Sequence, residues 1–389
     1  MNPHTGAELA LLIRSAFPKR GRDEPNAAVS DALDWDRLLS LGAAHGVTPT
    51  VYEGLRSIPD VEPPPEIDDR FRGYVRMNAT RALGYARELI EIGRSFDAAA
   101  VRWLPFKGPV LSSFAYGDCS RREFSDLDVL IHRDDFTAAV DALETRGYSL
   151  EPPMARMDDS AALGGPFTMP ILDEYSLENG TQTVELRWRV GDADRPFTPG
   201  FETLWERRTT VDLCGATVPA FDPIDRLLML AFHGTKHQWH LLKWVCDFAA
   251  AIVRTDLKWG ELFRRARIHN LERRVLIGVA LVTSIGGVDV PTHLLRRLET
   301  DSRAASLAAT AETKLLSGMP TRPGAIDRLR YNVYASDTIT EQLRMVMKAG
   351  PLHPSSPEYR LLPLPGVFHP AYYLVRPGRL LIGAVADRR

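Results

Sequence analysis

Two acidic residues separated by a single position stand out in the segment from Arg122 to Ile131. Successive side chains of a strand point to opposite faces, so Asp126 and Asp128 would share one face while the residue between them faces the core. Two carboxylates on a strand suit Mg²⁺, which usually takes one or two carboxylates together with substrate phosphates. An exposed strand end would show the same pattern, so the interpretation depends on the surrounding residues.

Two further segments could complete a site that handles phosphate groups. Lys107-Gly108 follows a short apolar run, and such a glycine lets backbone N–H groups approach phosphate oxygens while the lysine adds a positive charge. Downstream, strict alternation places Glu185, Arg187 and Arg189 on one face of a strand. Three carboxylates on adjacent strands can hold two divalent ions during an in-line displacement at phosphorus. The alternative for Glu185 is a solvated charge paired with Arg187 or Arg189.

A predicted helix after Asp222 carries a basic face. At about 100° per residue, His233, Lys236, His237 and His240 fall on one side of that helix. This face could close over a triphosphate, with the lysine as cation and the histidines as hydrogen-bond donors; the alternative is a merely solvated face. Zinc is disfavoured, because no glutamate follows His233 as it does in a His-Glu-x-x-His motif.

Arg122 lies four residues before Asp126 on the segment that enters the predicted strand. Its guanidinium could steady the carboxylates or contact a phosphate group. The alternative is a surface salt bridge to Glu123 or Asp118. We expect the two tryptophans near the basic face, Trp239 and Trp244, to belong to the core.

The elements that must position these residues follow from the hydrophobic periodicity. Apolar residues at steps of three and four from Phe71 to Phe96 indicate one long helix. Leu127–His132 predicts a buried strand, and Asn179-Gly180 predicts a hairpin between strands at 171–178 and 181–190. Another strand pair is expected at 209–221. The predicted regions are a helical region, a mixed α/β core, a helical domain and a tail rich in proline and aromatic residues: 1–100, 101–221, 222–349 and 350–389.

Composition excludes several classes of protein. The 389 residues carry 48 Lys and Arg against 50 Asp and Glu, so no overall basic excess points to duplex DNA as a ligand. The 3 cysteines contain no Cys-x-x-Cys pair, which argues against a disulfide framework and a cysteine-based zinc site. The longest uncharged apolar stretch, 275–288, is too short to cross a bilayer, and residues 1–10 lack the features of a signal peptide. We therefore expect a cytoplasmic protein.

Several short segments spread along the chain form one pattern: Lys107-Gly108, Tyr116-Gly117-Asp118, Arg122, 126–131, 142–148, 233–237 and 242–247. Together they resemble the signature of a bacterial family of uncharacterised nucleotidyltransferases within the DNA polymerase beta-like superfamily. The resemblance extends from about Trp35 to Tyr334. It implies an α+β fold, with a small mixed α/β nucleotidyltransferase core similar to the palm of polymerase beta, flanked by N- and C-terminal helical regions.

By this resemblance, Asp126 and Asp128 would be ligands of Mg²⁺ or Mn²⁺, and Glu185 the third carboxylate, either a ligand or a general base. Lys107-Gly108 stands where the wider superfamily has a Gly-Ser pair that contacts nucleotide phosphates. Many relatives carry a histidine where this chain has Arg187. The residues expected to bind the NTP substrate are Lys107, Gly108, Arg122, His233, Lys236 and His237.

The resemblance also implies the reaction. An NMP would pass from an NTP to a hydroxyl or phosphate group of an unidentified acceptor, with release of pyrophosphate. Because members of the family resemble tailoring enzymes near natural-product, polysaccharide or peptide genes, the acceptor is expected to be a small molecule, a saccharide or a peptide.

Two other functions remain open from the residues. An Asp-x-Asp motif also binds the metal and diphosphate of sugar nucleotides in glycosyltransferases, although such folds normally place a parallel nucleotide-binding sheet before it. Here about a hundred predicted helical residues precede the motif. A non-catalytic binding protein on the same fold is the other alternative, and the presence of all three acids counts against it.

Overall fold

A computed structural model of the chain describes residues 6–17, 33–59, 61–150, 175–192, 195–197, 199–349, 361–362, 364, 368 and 371–386. The helices of these residues are α1 Ala7–Ala16, α2 Trp35–His45, α3 Thr48–Leu55, α4 Pro65–Ala98, α5 Gly108–Tyr116, α6 Phe136–Thr145, α7 Phe201–Arg207, α8 Pro223–Lys236, α9 Leu242–Arg254, α10 Trp259–Ile268, α11 Glu272–Ser284, α12 Thr292–Thr300, α13 Ser302–Leu315, α14 Ala325–Tyr334, α15 Ile339–Ala349 and α16 Tyr372–Ala386. The strands are β1 Trp103–Pro105, β2 Leu127–Ile131, β3 Ser149–Leu150, β4 Tyr175–Glu178, β5 Thr183–Arg187, β6 Gly191–Asp192, β7 Arg195–Pro196, β8 Thr209–Leu213 and β9 Ala216–Ala220.

The sheet that matters for the candidate site has five strands in the order β1-β2-β5-β4-β3. β1 runs antiparallel to β2, and β5 is antiparallel to β4, whereas β2 and β5 are parallel. The parallel pair aligns Leu127 with Val184 and Asp128 with Glu185. The α+β class and the small mixed core with flanking helices are therefore confirmed.

The predicted hairpin is present, as β4 and β5. Asn179 closes its turn, because its Oδ1 accepts the backbone N–H groups of Thr181 at 3.0 Å and Gln182 at 2.9 Å. The first part of the predicted strand, 171–174, lies outside the described residues. The second strand ends at Arg187, so the prediction of alternation as far as 190 was wrong. Arg187 pairs with Leu130 and is the last residue of β5 that pairs with β2.

The long N-terminal helix is confirmed as α4, and its buried stripe includes one polar residue, Asn78. The Asn78 side chain donates to the carbonyl oxygen of Ser120 at 2.7 Å and to that of Arg122 at 3.4 Å. About two helical turns further along α4, the Tyr85 hydroxyl donates to the Ser125 carbonyl at 2.5 Å. The helix therefore fixes the backbone that leads into β2.

The region after Asp222 is helical, as predicted, and α8 and α9 pack against each other and against α11. The predicted helical face was wrong for His240, because α8 ends at Lys236. Gln238 and Trp239 follow with φ angles of +57° and +51°, a left-handed backbone that ends the helix. Trp239 and Trp244 are buried, as expected.

The apolar stretch at 275–288 supplies most of the buried side chains of α11. Among the described helices, none combines the length and the apolar character that crossing a bilayer requires. In the predicted tail, 350–360 lies outside the described residues, and α16 is helical.

The contact between α4 and β1 gives a test of the fold. A Cβ atom at Gly93 would lie 2.4 Å from Cζ2 of Trp103, a ring that is buried and donates to Asp97. We expect Gly93→Ala to lower the free energy of unfolding by about 1 to 3 kcal/mol through overpacking. Gly73→Ala is the control on the same helix, because nothing lies within 4 Å of its Cβ position, and it should gain about 0.5 to 1 kcal/mol. Urea unfolding measures both; equal stability of the two variants would contradict this packing.

Candidate active site

The structure brings the three predicted carboxylates to one place near the N-terminal ends of the neighbouring strands β2 and β5, and this end of the two strands is the edge referred to below. Asp128 is buried on β2 opposite Glu185 on β5, and Asp126 lies two residues before Asp128. Burial, then the negative charges of Asp128 and Glu185, raise the pKa of Asp126 to about 6. Glu185, the acid of the β4–β5 hairpin, therefore lies opposite Asp128 and close enough to Asp126 for their charges to interact.

Two cations, the half-buried Lys107 and the buried Arg187, compensate these charges. Lys107 Nζ donates to Asp128 Oδ1 at 2.9 Å, and Arg187 donates from Nη2 to Glu185 Oε2 at 2.8 Å. Arg187 Nε also lies 3.8 Å from Asp128 Oδ1. Burial opposes ionisation of Asp128, but the charges of Lys107 and Arg187 outweigh it and hold its pKa below the ordinary value. Glu185 is thus paired with Arg187, as one alternative proposed, and also lies beside the aspartates.

The turn between β1 and α5 lies directly against this edge. Gly108 has a φ of +55°, which glycine adopts readily, and an added Cβ there would lie 3.4 Å from the Asp126 carbonyl oxygen. Pro109 follows in the first turn of α5, where its missing N–H costs little. The first N–H groups of a helix have no intrahelical partners and attract anions. Lys107 and the start of α5 therefore present positive charge next to the three acids.

Arg122 is buried and joins the segment before β2 to helix α9. Its Nε lies 2.9 Å from Asp247 Oδ2, and the Tyr116 hydroxyl donates to Asp247 Oδ1 at 2.9 Å. The alternative of a surface salt bridge to Glu123 or Asp118 was wrong, because Arg122 is only 7% exposed. Its positive charge also favours the ionised forms of the nearby aspartates. Arg122 therefore ties the segment before β2 to α9 and places positive charge near the aspartates.

The predicted basic face forms an aromatic cluster. The His233 ring centroid lies 4.7 Å from that of His237 and 5.6 Å from that of Trp244. Burial, with a further contribution from the charge of Lys107, lowers the pKa of His233 well below its ordinary value, so the imidazole is neutral. Lys236 ends α8, and its charge also acts on His233. His233 thus lies within electrostatic reach of Lys107.

Sequence reasoning missed two residues of α9, Lys243 and Asp247. Lys243 is half-buried, and burial together with the charge of Arg122 lowers its pKa, against attraction by Asp247, Glu123 and Asp126. Among the described residues, Lys243 forms no ion pair or hydrogen bond. The two residues are spaced i, i+4 and so share one face of a helix, which is the signal that could have identified them.

The donor set suits a hard divalent cation, because Asp126, Asp128 and Glu185 offer only oxygen atoms. Burial, then the like charges of Asp128 and Glu185, raise the pKa of Asp126, and a divalent cation would offset both effects. In the described parts of the chain, however, no group of three or more His, Cys, Asp or Glu is arranged to hold a metal ion. Mg²⁺ or Mn²⁺ at this site therefore stays a prediction.

Comparison with known proteins identifies a family for this chain. A model of a family described as uncharacterised nucleotidyltransferase matches residues 31–287, which is more than half of the chain. The matched span contains every site residue named above. No curated protein matches the chain.

The pair of Arg122 and Asp247 can be tested by a double-mutant cycle. Arg122→Met or Asp247→Leu alone leaves the other charge buried without its partner, and each should lower the free energy of unfolding by about 3 to 5 kcal/mol. The double variant should lose far less than the sum, because no unpaired charge remains. Arg70→Ala, at an exposed pair with Asp36, is the control and should cost less than about 1 kcal/mol. Losses that simply add in the double variant would show that the pair is not coupled.

Proposed function

The chain belongs to the family of uncharacterised nucleotidyltransferases, and on that premise we propose that it moves an NMP from an NTP to an acceptor, releasing pyrophosphate. The acceptor group is a hydroxyl or phosphate of a small molecule, a saccharide or a peptide. The observation that carries the proposal is the meeting of Asp126, Asp128 and Glu185 beside Lys107, at the start of α5.

The charged residues of this edge have distinct roles in the proposal. Mg²⁺ or Mn²⁺ would be held by Asp126, Asp128 and Glu185, and when bound would neutralise phosphate charge and act as a Lewis acid. Lys107 and the first N–H groups of α5 would bind phosphate oxygens. Arg187, which contacts both Asp128 and Glu185, keeps these carboxylates in position. Catalysis would then rest on positioning and charge stabilisation.

Glu185 can serve as a ligand or as the general base for the incoming hydroxyl. The hydrogen bond from Arg187 reaches its Oε2 atom, which fixes the orientation of the carboxylate. A general base must lie within hydrogen-bond reach of the proton that it removes. The carboxylate of Glu185, held by Arg187, would meet this requirement for an acceptor hydroxyl bound beside it.

The cations on α8 and α9 would bind the rest of the triphosphate. Lys243 supports this role best, because it is half-buried, lies near Asp126 and is not held by an acid of the described chain. The neutral imidazole of His233 can donate one hydrogen bond to a phosphate oxygen. Lys236, the last residue of α8, and His237, which follows it, would add to the positive potential.

A non-catalytic nucleotide-binding protein is the second candidate. It is favoured by the observation that Lys107 and Arg187 already compensate the acids. Such a protein would gain thermal stability from an NTP without turning it over. A glycosyltransferase is disfavoured by the family and by the helices α1 to α4 that precede the sheet.

Asp128→Asn tests the catalytic proposal. With Mg²⁺, a cell extract and NTPs labelled at either the α- or the γ-phosphate, we expect the wild-type protein to transfer only the α label. The variant should lose roughly a hundredfold or more of this rate, because a charge in the reacting site is removed. Asp134→Asn, at an exposed carboxylate, is the matched control and should keep the rate.

Three results would speak against a nucleotidyltransferase. They are an unchanged rate in the Asp128→Asn variant with its circular dichroism spectrum intact, transfer of the γ label, and transfer from UDP-sugars instead of NTPs. NTP-dependent thermal stabilisation without any transfer would favour the non-catalytic protein.

Lys243→Met tests the triphosphate contact. Loss of a charged hydrogen bond to phosphate should raise the KM for the NTP by roughly tenfold. Lys258→Met removes an exposed lysine just beyond α9 and should leave the KM unchanged. Steady-state kinetics with each variant measure the effect. An unchanged KM in Lys243→Met would show that this lysine does not contact the nucleotide.

A further inference from the structure

Two cysteines that are 95 residues apart in the chain lie in contact, with 3.2 Å between the Sγ atoms of Cys119 and Cys214. Cys119 is buried in the segment between α5 and β2, and Cys214 is exposed at the turn between β8 and β9. The third cysteine, Cys246, is buried on α9. No sequence pattern indicates this pair, because neither cysteine belongs to a spaced motif.

The backbone at Cys214 is a second, independent observation. Cys214 has a φ of +53° and Gly215 a φ of +84°, so two consecutive residues are left-handed. A two-residue hairpin turn of this kind favours Asn-Gly, Asp-Gly or Gly-Gly, and a cysteine at its first position carries a steric cost. Asp212 supports the turn by accepting the Gly215 N–H at 3.2 Å. The turn thus holds an unfavourable residue whose side chain reaches Cys119.

The backbone around Cys119 is held equally firmly. Ser112 Oγ donates to the Asp118 carbonyl at 2.7 Å and accepts the Arg122 N–H at 3.2 Å, so both sides of Cys119 are tied to α5. Helix α5 in turn packs against β8 of the hairpin. A disulfide has a sulfur separation of about 2.05 Å, so the two sulfurs need to approach by only about 1 Å.

We propose that Cys119 and Cys214 are an oxidative modification site, at which a small-molecule disulfide such as oxidised glutathione drives formation of a reversible intramolecular disulfide. The thiolate of Cys214 attacks one sulfur of the oxidant, forms a mixed disulfide and releases one thiol. Cys119 then loses its proton to solvent, attacks the Cys214 sulfur and releases the second thiol. Two protein thiols are oxidised, and one oxidant disulfide is reduced to two thiols.

The order of these steps follows from exposure. Cys214 is reached by solvent, whereas Cys119 is only 5% exposed. Burial, then the contact with Cys214, raises the pKa of the Cys119 thiol to about 12. Since the thiolate is the attacking species, Cys214 reacts first and the closing step is the slower one.

The bond would fasten the segment that carries Arg122 and Asp126 to the β8–β9 hairpin. In the unfolded chain it would close a long loop, which reduces the entropy gained on unfolding. Because the thiols are already in contact, the folded state changes little. The consequence is a more stable oxidised protein, and this inference does not depend on the proposed function.

The experiment treats the full chain with oxidised glutathione, blocks remaining thiols with N-ethylmaleimide and maps peptides by mass spectrometry without reduction. We expect one cross-linked peptide pair that joins Cys119 to Cys214, with Cys246 still reduced. The midpoint of thermal unfolding should rise by roughly 5 °C and return after dithiothreitol treatment. Cys246→Ser should behave like the wild type, and Cys214→Ser, at an exposed position, should lose both the cross-link and the rise.

The proposal is overturned by any of three results. One is a Cys214 that carries only glutathione, with Cys119 free. Another is a disulfide between two chains through Cys214. The last is an oxidised wild-type protein whose unfolding midpoint equals that of Cys214→Ser under the same treatment.

Discussion

The repulsion among three partly buried carboxylates is the constraint around which the candidate site is built. The parallel pairing of β2 with β5 sets Asp128 opposite Glu185, and Asp126 lies just before them. Burial, together with the like charges of Asp128 and Glu185, disfavours ionisation of Asp126 and raises its pKa. Lys107 from the β1–α5 turn and Arg187 from β5 itself supply the compensating charge. The sheet order is therefore what makes both the repulsion and its compensation possible.

The segment between α5 and β2 carries the second constraint, because it must hold Asp126 without regular secondary structure of its own. Three helices bind it through polar contacts: α4 through Asn78, α9 through Asp247, and α3 through the Thr48 N–H, which donates to Glu123 at 3.0 Å. The helices before and after it in sequence hold the same short segment from different sides.

Local patterns were enough to predict the long helix α4, the strand β2 and the hairpin, because each depends on residues close in sequence. The place of Glu185 beside Asp126 and Asp128 was expected from the family resemblance, since the two segments lie far apart in the chain. The partner of Arg122 could not be predicted, since Asp247 lies 125 residues further along. The contact of Cys119 with Cys214 is long-range for the same reason. The end of α8 was missed because Gln238 and Trp239, rather than glycine or asparagine, adopt the left-handed backbone. The end of β5 was missed because the alternation of residue types continues to Val190, whereas the pairing with β2 ends at Arg187.

Arg187 changes the charge of this site compared with the histidine that the resemblance would place there. An arginine is always charged, so three carboxylates face two fixed cations, Lys107 and Arg187, before any ligand binds. This near balance explains how Asp128 stays ionised at only 4% exposure. Under the proposed function, a divalent ion would take over the compensation of the acids. The flexible side chain of Lys107 could then leave Asp128 and donate to a phosphate oxygen instead. The planar guanidinium group of Arg187 would keep its hydrogen bond to Glu185.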